Sequence, residues 1–255
     1  MPTYYSQVDQ DRILNEEVFC GMRNGVFVDV GAHDGISFSN TLMFEREFGW
    51  TGLCIEPNPD VFPLLIENRS AVCLEIAIAK RDGPLPFIKA DGYAQMLSGL
   101  SQSMDTRHRE RIERETKEHN TSHSVTEVNV RPLASVLSEH RISEIHYLSI
   151  DTEGNETDVL ASIDFHAVMI HAITVEANYN EARDEIDAIL FRRFDLVGQH
   201  EQDLYFINRR SPFISKAPGL RAVMSSTFKP YRVRQFRRLA GRVVRSVYPK
   251  FRYSG

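Results

Sequence analysis

One run constrains the fold of this chain more than any other: Gly25-Val-Phe-Val-Asp-Val-Gly-Ala-His-Asp-Gly35. Val26, Phe27, Val28 and Val30 form a short apolar stretch rich in β-branched residues, the pattern of a strand buried on both faces of a parallel sheet. The stretch stops at Gly31, and after Gly35 the polar residues Ser37, Ser39 and Asn40 open a predicted helix. Glycines at such a turn let a ligand approach the backbone without Cβ interference, and the helix brings its N-terminus beside that ligand. The run outlines a cofactor site on an α/β fold.

Spacing decides which cofactor fits. The dinucleotide fingerprint asks for glycine at its first, third and sixth places, where the backbone packs against a pyrophosphate. Counted from Gly31, the third place is His33 and the sixth is Ile36, so the fingerprint fails at two of three. What stands instead is an acid, Asp29, two residues before Gly31, with Gly35 four residues after it. This resembles the first motif of class I S-adenosylmethionine (SAM) methyltransferases, whose ligand offers an ammonium, a ribose and a sulfonium. Carboxylates suit those groups.

Three more strands end in acids. Gly52-Leu-Cys-Ile-Glu56 places Glu56 21 residues past Gly35, close to the spacing at which an acid grips ribose hydroxyls. Pro57-Asn58-Pro59 then breaks the strand and stiffens the adenine side of the expected pocket. His146-Tyr-Leu-Ser-Ile150 runs into Asp151-Thr-Glu-Gly-Asn-Glu156, and Ala172-Ile-Thr-Val-Glu176 into Ala177 and Asn178. Asp29, Glu56, Asp151 and Glu176 are thus expected at the carboxyl edge of one sheet, where open α/β folds bind ligands.

At 255 residues the chain is long enough for one α/β domain with an appendage. No stretch approaches the roughly 18 apolar residues of a membrane span, and the N-terminus lacks a signal-peptide layout, so a cytoplasmic protein is expected. Cys20, Cys54 and Cys73 are far apart and form no CxxC pair, which argues against a disulfide framework and a zinc knuckle. The net charge of −5 hides an asymmetry. Residues 220–255 carry ten Lys or Arg and no acid, leaving 20 basic against 35 acidic residues before them. In this tail Phe236, Leu239, Ala240, Val243, Val244 and Val247 recur at helical spacing among arginines. Such a basic amphipathic helix suits an anionic membrane surface, placing the protein at the inner membrane face, or packs on the acidic body of its own chain. Nucleic acid is a poorer fit, since the tail's aromatics form no base-stacking platform.

The rest of the chain alternates strands and helices. Ile13, Leu14, Val18 and Phe19 form a short helical pattern expected at the sheet edge before the first strand, and 61–68 a second helix. Residues 72–78 read as a third strand, joined through Asp82-Gly83 to 85–88 as a hairpin. From 91 to 124 the chain is polar and then charged, either a lid facing the methyl acceptor or a solvated helix. Strand 125–130, helices 133–137, 157–163 and 186–194, and an antiparallel pair at 195–198 and 204–207 complete a domain over 1–215, with 216–255 as its tail.

Ser6-Gln7 with Gln10-Asp11, Val28-Asp-Val-Gly-Ala-His-Asp-Gly35, Cys54-Ile-Glu-Pro-Asn58 and Leu148-Ser-Ile-Asp-Thr-Glu-Gly154 with Glu156 occur in order. Over roughly residues 5–208 they resemble the FkbM family of SAM-dependent methyltransferases. The resemblance implies a Rossmann-like class I methyltransferase fold: a mostly parallel central sheet with an antiparallel closing strand and helices on both faces. It implies SAM held by Asp29, Gly31, Ala32, His33, Asp34, Gly35, Ser37, Asn40, Glu56, Pro57 and Asn58. It also implies O-methylation of a sugar or glycan hydroxyl, lipid-linked or surface polysaccharide included.

Methyl transfer to an alcohol requires the oxygen held in line and a base within reach of its proton. Asp151 is the first candidate base, because the end of the fourth core strand faces the methyl group in this fold class; Glu153 and Glu176 follow. A competing arrangement makes Asp151, Glu176 and Asn178 oxygen ligands of a divalent cation such as magnesium, which acidifies the hydroxyl. The residues leave base and ligand open. Other functions also fit the chain: a methyltransferase acting on RNA through the basic tail or on another small-molecule hydroxyl, and a non-catalytic binding module on the same fold.

Overall fold

The computed structural model describes residues 2–178 and 180–227. The basic amphipathic pattern from Phe236 to Val247 lies outside them. Eleven strands are present among the described residues: β1 (Val26–Val30), β2 (Thr51–Ile55), β3 (Val72–Leu74), β4 (Ala77–Ile78), β5 (Gly83–Ala90), β6 (Gly99–Leu100), β7 (His123–Arg131), β8 (Glu144–Ile150), β9 (Met169–Glu176), β10 (Phe194–His200) and β11 (Asp203–Asn208). Seven form the main sheet in the order β10-β11-β9-β8-β1-β2-β3. Strands β9, β8, β1, β2 and β3 are parallel, and β11 runs antiparallel to both β9 and β10. This is the expected Rossmann-like methyltransferase sheet.

From β1 the chain winds outward through β2 to β3, then returns to β8 on the other side of β1. Between β1 and β8 lies the switch point at which such sheets leave a crevice at their carboxyl edge. The register pairs Val30 with Ile150, so Gly31 and Asp151 leave the sheet side by side.

Alternation along the strands separates two apolar faces. Val28, Val30, Leu53, Ile55, Leu148, Ile150, Ile173 and Val175 pack against α5 (Leu133–Glu139), α6 (Glu156–Ala161) and α7 (Asn180–Leu190). Phe27, Cys54, Tyr147, Ala172, Tyr205 and Ile207 pack against α1 (Gln10–Ile13) with its π-helical extension Leu14–Phe19, α2 (Leu42–Phe48), α3 (Phe62–Asn68) and α8 (Ala217–Thr227). The N-terminal helix therefore covers a face of the sheet and not its edge. Its Phe19 meets Phe44 and Trp50 edge-on at centroid distances of 5.7 and 4.9 Å, closing a face built from large aromatics.

Three expectations are corrected. The helix after Gly35 begins only at Leu42. Asp34 Oδ1 accepts from Ile36 N and Ser37 N at 2.9 and 2.7 Å, an Asx turn that takes the backbone away from helix, and 31–41 is a long loop. The 72–78 strand divides into β3, on the edge of the main sheet, and β4, in a second sheet ordered β4-β7-β5-β6. The 82–83 hairpin does not form. β4 is two residues long and pairs parallel with β7, while β7 matches all eight residues of β5 antiparallel.

This second sheet carries a 3-10 turn (Gly92–Leu97) and α4 (Thr106–Glu118) and caps the carboxyl edge. α4 does not stand free in water. Its one strongly apolar residue, Ile112, is 1% exposed and packs with Ile88, Ala90, Ala94, Leu97 and Met104.

Candidate active site

The loops after β1, β2, β8 and β9, together with the cap, line an open cleft. Its floor is made where Gly31 meets Asp151. Gly31 N and Ala32 N donate to Ile55 O at 2.9 and 3.1 Å, and Asp151 N donates to Val30 O at 2.9 Å. A Cβ on Gly31 would lie 1.7 Å from the Asp151 carbonyl oxygen, and φ there is +93°. Gly31 is thus glycine so that two strand-end loops can touch, rather than for access of a ligand.

Glu56 sits at the tip of β2, where its Oε1 accepts from Asn58 N at 2.8 Å and its Oε2 from His33 N at 2.9 Å. Burial pushes its carboxyl up to about 7 against the pull of those two donors. Both oxygens retain a lone pair for ligand hydroxyls. Asp29 points into the same cleft but is already engaged: Oδ2 accepts from Thr41 Oγ1 at 2.6 Å, and burial raises its pKa despite the Arg69 cation. Asn40 Nδ2 donates to Ser149 Oγ at 3.0 Å, and its buried Oδ1 has no hydrogen-bond partner among the described residues. Both ring nitrogens of His33 are likewise buried and without one. Of the expected cofactor residues, Asp29, Gly31, Ala32, His33, Ser37, Asn40, Glu56, Pro57 and Asn58 line the cleft; Asp34 and Gly35 support the loop behind it.

Opposite stand Asp151, Glu153 and Glu176, with carboxylate oxygens within 4.8 Å of one another. Three like charges this close cannot all ionise. Burial and the neighbouring Glu156 and Asp29 push Asp151 up to about 7. Burial and Asp151 drive Glu153 and Glu176 well above the usual carboxylate range. Glu153 Oε2 and Glu176 Oε2 are buried without hydrogen-bond partners. Asn178 is not among the residues lining the cleft; Glu153 is the third carboxyl of the group.

The loop that presents Asp151 and Glu153 is held by its neighbours Glu156 and Asn155. Glu156 Oε1 accepts from Thr152 N, Thr152 Oγ1 and Gly154 N at 3.1, 3.1 and 2.9 Å, fixing a backbone in which Glu153 has φ +56°. Asn155 ties it to the cap, donating to Ile78 O at 2.6 Å and accepting from Ser103 Oγ at 2.8 Å.

Gln7, Phe38 and Phe87 also line the cleft and were not expected there, while Gln95, Met96 and Ser98, which line it too, belong to the 91–124 stretch read as a lid facing the acceptor. Of the first three, only Gln7 carried a signal, through its place in the Ser6-Gln7, Gln10-Asp11 motif. Asp11 accepts from Tyr5 N at 2.7 Å and Ser6 Oγ at 2.6 Å, Gln10 Nε2 donates to Asp203 Oδ2 at 2.7 Å, and Ser6 bridges to Phe38. The motif builds the wall that carries Gln7. The cap residues have ordinary polar-loop composition and reach the cleft only through the second sheet.

The family model described as the methyltransferase FkbM domain matches residues 29–203. The chain belongs to the FkbM methyltransferase family. Among solved structures it is similar to the methyltransferase FkbM from Methylobacillus flagellatus KT at 12% identity and a TM-score of 0.43, over 72% of this chain and 43% of that one. The chain thus spans less than half the length of that relative. It is also similar to a TehB-like SAM-dependent methyltransferase from Corynebacterium glutamicum ATCC 13032 Kitasato, at 8% identity and a TM-score of 0.39, over 80% of this chain and 89% of that one. No curated protein matches. Within this FkbM chain the 29–203 match runs from the tip of β1 to the start of β11 and takes in the cap.

Proposed function

We propose that this FkbM-family chain is a SAM-dependent O-methyltransferase acting on a hydroxyl of a sugar or glycan. The observation that carries the reading is the charge of the cleft: Asp29, Glu56, Asp151, Glu153 and Glu176 line it, with no Lys or Arg among its lining residues. SAM fits such a wall, since its ammonium and sulfonium meet carboxylates, and Glu56 and the unpartnered Asn40 Oδ1 offer acceptors for its donors. When bound, SAM supplies a methyl group made electrophilic by the sulfonium.

The chain's own residues then position an acceptor oxygen and take its proton. Asp151, with a pKa near 7, is matched to that task at neutral pH. The acidic wall disfavours an RNA acceptor, whose phosphates would meet carboxylates, with no Lys or Arg among the described residues that line the cleft. The carboxyls of Asp151, Glu153 and Glu176 are also a donor set that suits magnesium, which would lower the pKa of an acceptor hydroxyl. The tail beyond residue 227 we assign to an anionic lipid surface; among the described residues no helix is long and apolar enough to cross a membrane.

Calorimetric titration with S-adenosylhomocysteine (SAH) and transfer from methyl-labelled SAM to a panel of methyl glycosides test the proposal. Uptake of SAH with label on a glycoside hydroxyl supports it; absence of SAH uptake, or label only on RNA, overturns it. Transfer that survives EDTA assigns Asp151 as base, and loss restored by magnesium assigns the carboxyls to a cation.

A further inference from the structure

Arg69 is the one Lys or Arg fully buried among the described residues. It caps the C-terminal end of α3, outside every motif that marks the cofactor, and its side chain is 0% exposed. A buried guanidinium is expensive unless each of its donors is met. Here its contacts fall on one stretch of chain. Nε donates to Glu45 Oε2 at 2.7 Å and Nη2 to Thr41 Oγ1 at 2.8 Å; Nη1 donates to Ser39 Oγ at 3.3 Å and Gly35 O at 3.5 Å and lies 3.9 Å from Asp29 Oδ2. The guanidinium carbon stands 5.2 Å from the centroid of the Phe27 ring. Asn68, the preceding residue, donates from Nδ2 to Asp34 O at 2.8 Å.

These partners span the cofactor loop from its entry at Asp29 to its exit at Thr41. Within that loop His33 and Phe38 hold φ of +48° and +56°, left-handed conformations that non-glycine residues keep only when their surroundings impose them. Gly35 explains the imposition. A Cβ on it would fall 2.6 Å from Arg69 Cγ and 2.8 Å from Leu65 Cδ1, so the second glycine of the motif faces the arginine and not the cleft. Thr41 Oγ1, in turn, accepts from Arg69 and donates to Asp29, joining clamp and strand tip through one hydroxyl. The loop residues that line the cleft, His33, Ser37 and Asn40 among them, are interleaved with the backbone positions that Asn68 and Arg69 hold.

We propose that Arg69, with Asn68, is a positioning residue for the cofactor: the pair clamps the 31–41 loop in the shape that presents His33, Ser37 and Asn40 to SAM. This rests on the reading of the cleft as the SAM site. The test compares the wild-type chain with R69K, N68A and T41V, measuring the dissociation constant of SAH by calorimetry and thermal unfolding in parallel. At a temperature where each protein is folded, SAH binding is expected to weaken at least tenfold in R69K and about threefold to tenfold in N68A and T41V. Amide exchange should rise in 31–41 and stay unchanged in β8 and β9. Should R69K fail to fold, N68A and T41V decide the matter. Lowered melting temperatures with an unchanged SAH dissociation constant would show a merely structural arginine and overturn the clamp. A wild-type chain that takes up no SAH overturns the cofactor reading itself, a result distinct from wild-type uptake matched by the variants.

Discussion

Asp151 has ordinary neighbours in the chain and extraordinary ones in space. Its proton affinity comes from burial beside Glu156 and Asp29, and its position from the contact of its carbonyl with Gly31. Asp151→Asn keeps volume and shape but removes the carboxylate that we propose as the base. Methyl transfer should fall by about 10² to 10⁴ in rate, while SAH affinity stays within about threefold, as single-turnover label transfer and calorimetry would show. An unchanged rate would remove Asp151 from the mechanism. Gly31→Ala attacks the same place from the other side. A methyl group 1.7 Å from the Asp151 carbonyl, on a backbone at φ +93°, must force the two loops apart. We expect a loss of about 3 kcal/mol in urea unfolding, with transfer impaired as well. That position 31 would be glycine and lie beside a strand tip was legible in the sequence. That it serves a neighbouring loop was not, because Asp151 lies 120 residues away and is brought alongside only by strand pairing.

At the scale of elements, the core strands were the readable part. Runs of Val, Ile and Leu ending in an acid describe a buried parallel strand whatever surrounds it, and β1, β2, β8 and β9 form where the residues indicate. The cap was readable only in part: strands at 85–88 and 125–130 and a lid over 91–124 were indicated, but not their assembly into a second sheet. β4 and β6 are two residues long, too short for a periodic pattern, and they exist because β5 and β7 offer edges to pair with. α4 was open between part of a lid and a solvated helix, and Ile112, which fastens it to the sheet below, decides against the solvated one. Ile112→Ala should cost about 3 kcal/mol. The loss should be local, with faster amide exchange across 92–118 and little change in β1 and β8. Uniform loss of protection throughout the chain would show instead that cap and core unfold as one unit.

Across the whole molecule, folding gathers carboxyls at one edge of the sheet and raises their proton affinity. Glu56 and Asp151 are pushed up to about 7 and Asp203 to about 8, all chiefly by burial. Groups whose pKa is raised on folding stabilise the native state fully below their unfolded values, and that stability is lost as pH climbs through the folded ones. His146, lowered first by burial and then by His171, acts in the opposite sense below about pH 6.5, the ordinary histidine value. Above it the carboxyls are opposed by Cys73, whose thiol is lowered by its contact with Cys54, and should outweigh it by their number. From about pH 6.5 to 9 the ligand-free protein is expected to lose roughly 5 °C in Tm, and SAM, bringing positive charge to the cleft, should raise Tm more at pH 8.5 than at pH 6.5. Scanning calorimetry at several pH values checks both; a flat Tm with a pH-independent SAM shift would show that the edge carries no stored repulsion.

By itself the sequence determined the strand succession, the acids at the strand tips and the family, since each is written in residues adjacent along the chain: apolar runs, glycine breaks and short motifs. The tertiary structure alone decided what those residues do for one another. Gly31 serves Asp151, Gly35 serves Arg69, and β5 and β7 pair with each other in a second sheet that caps the cleft. The physical reason is that a contact between distant residues depends on register and burial, which arise only when the sheet assembles and excludes water.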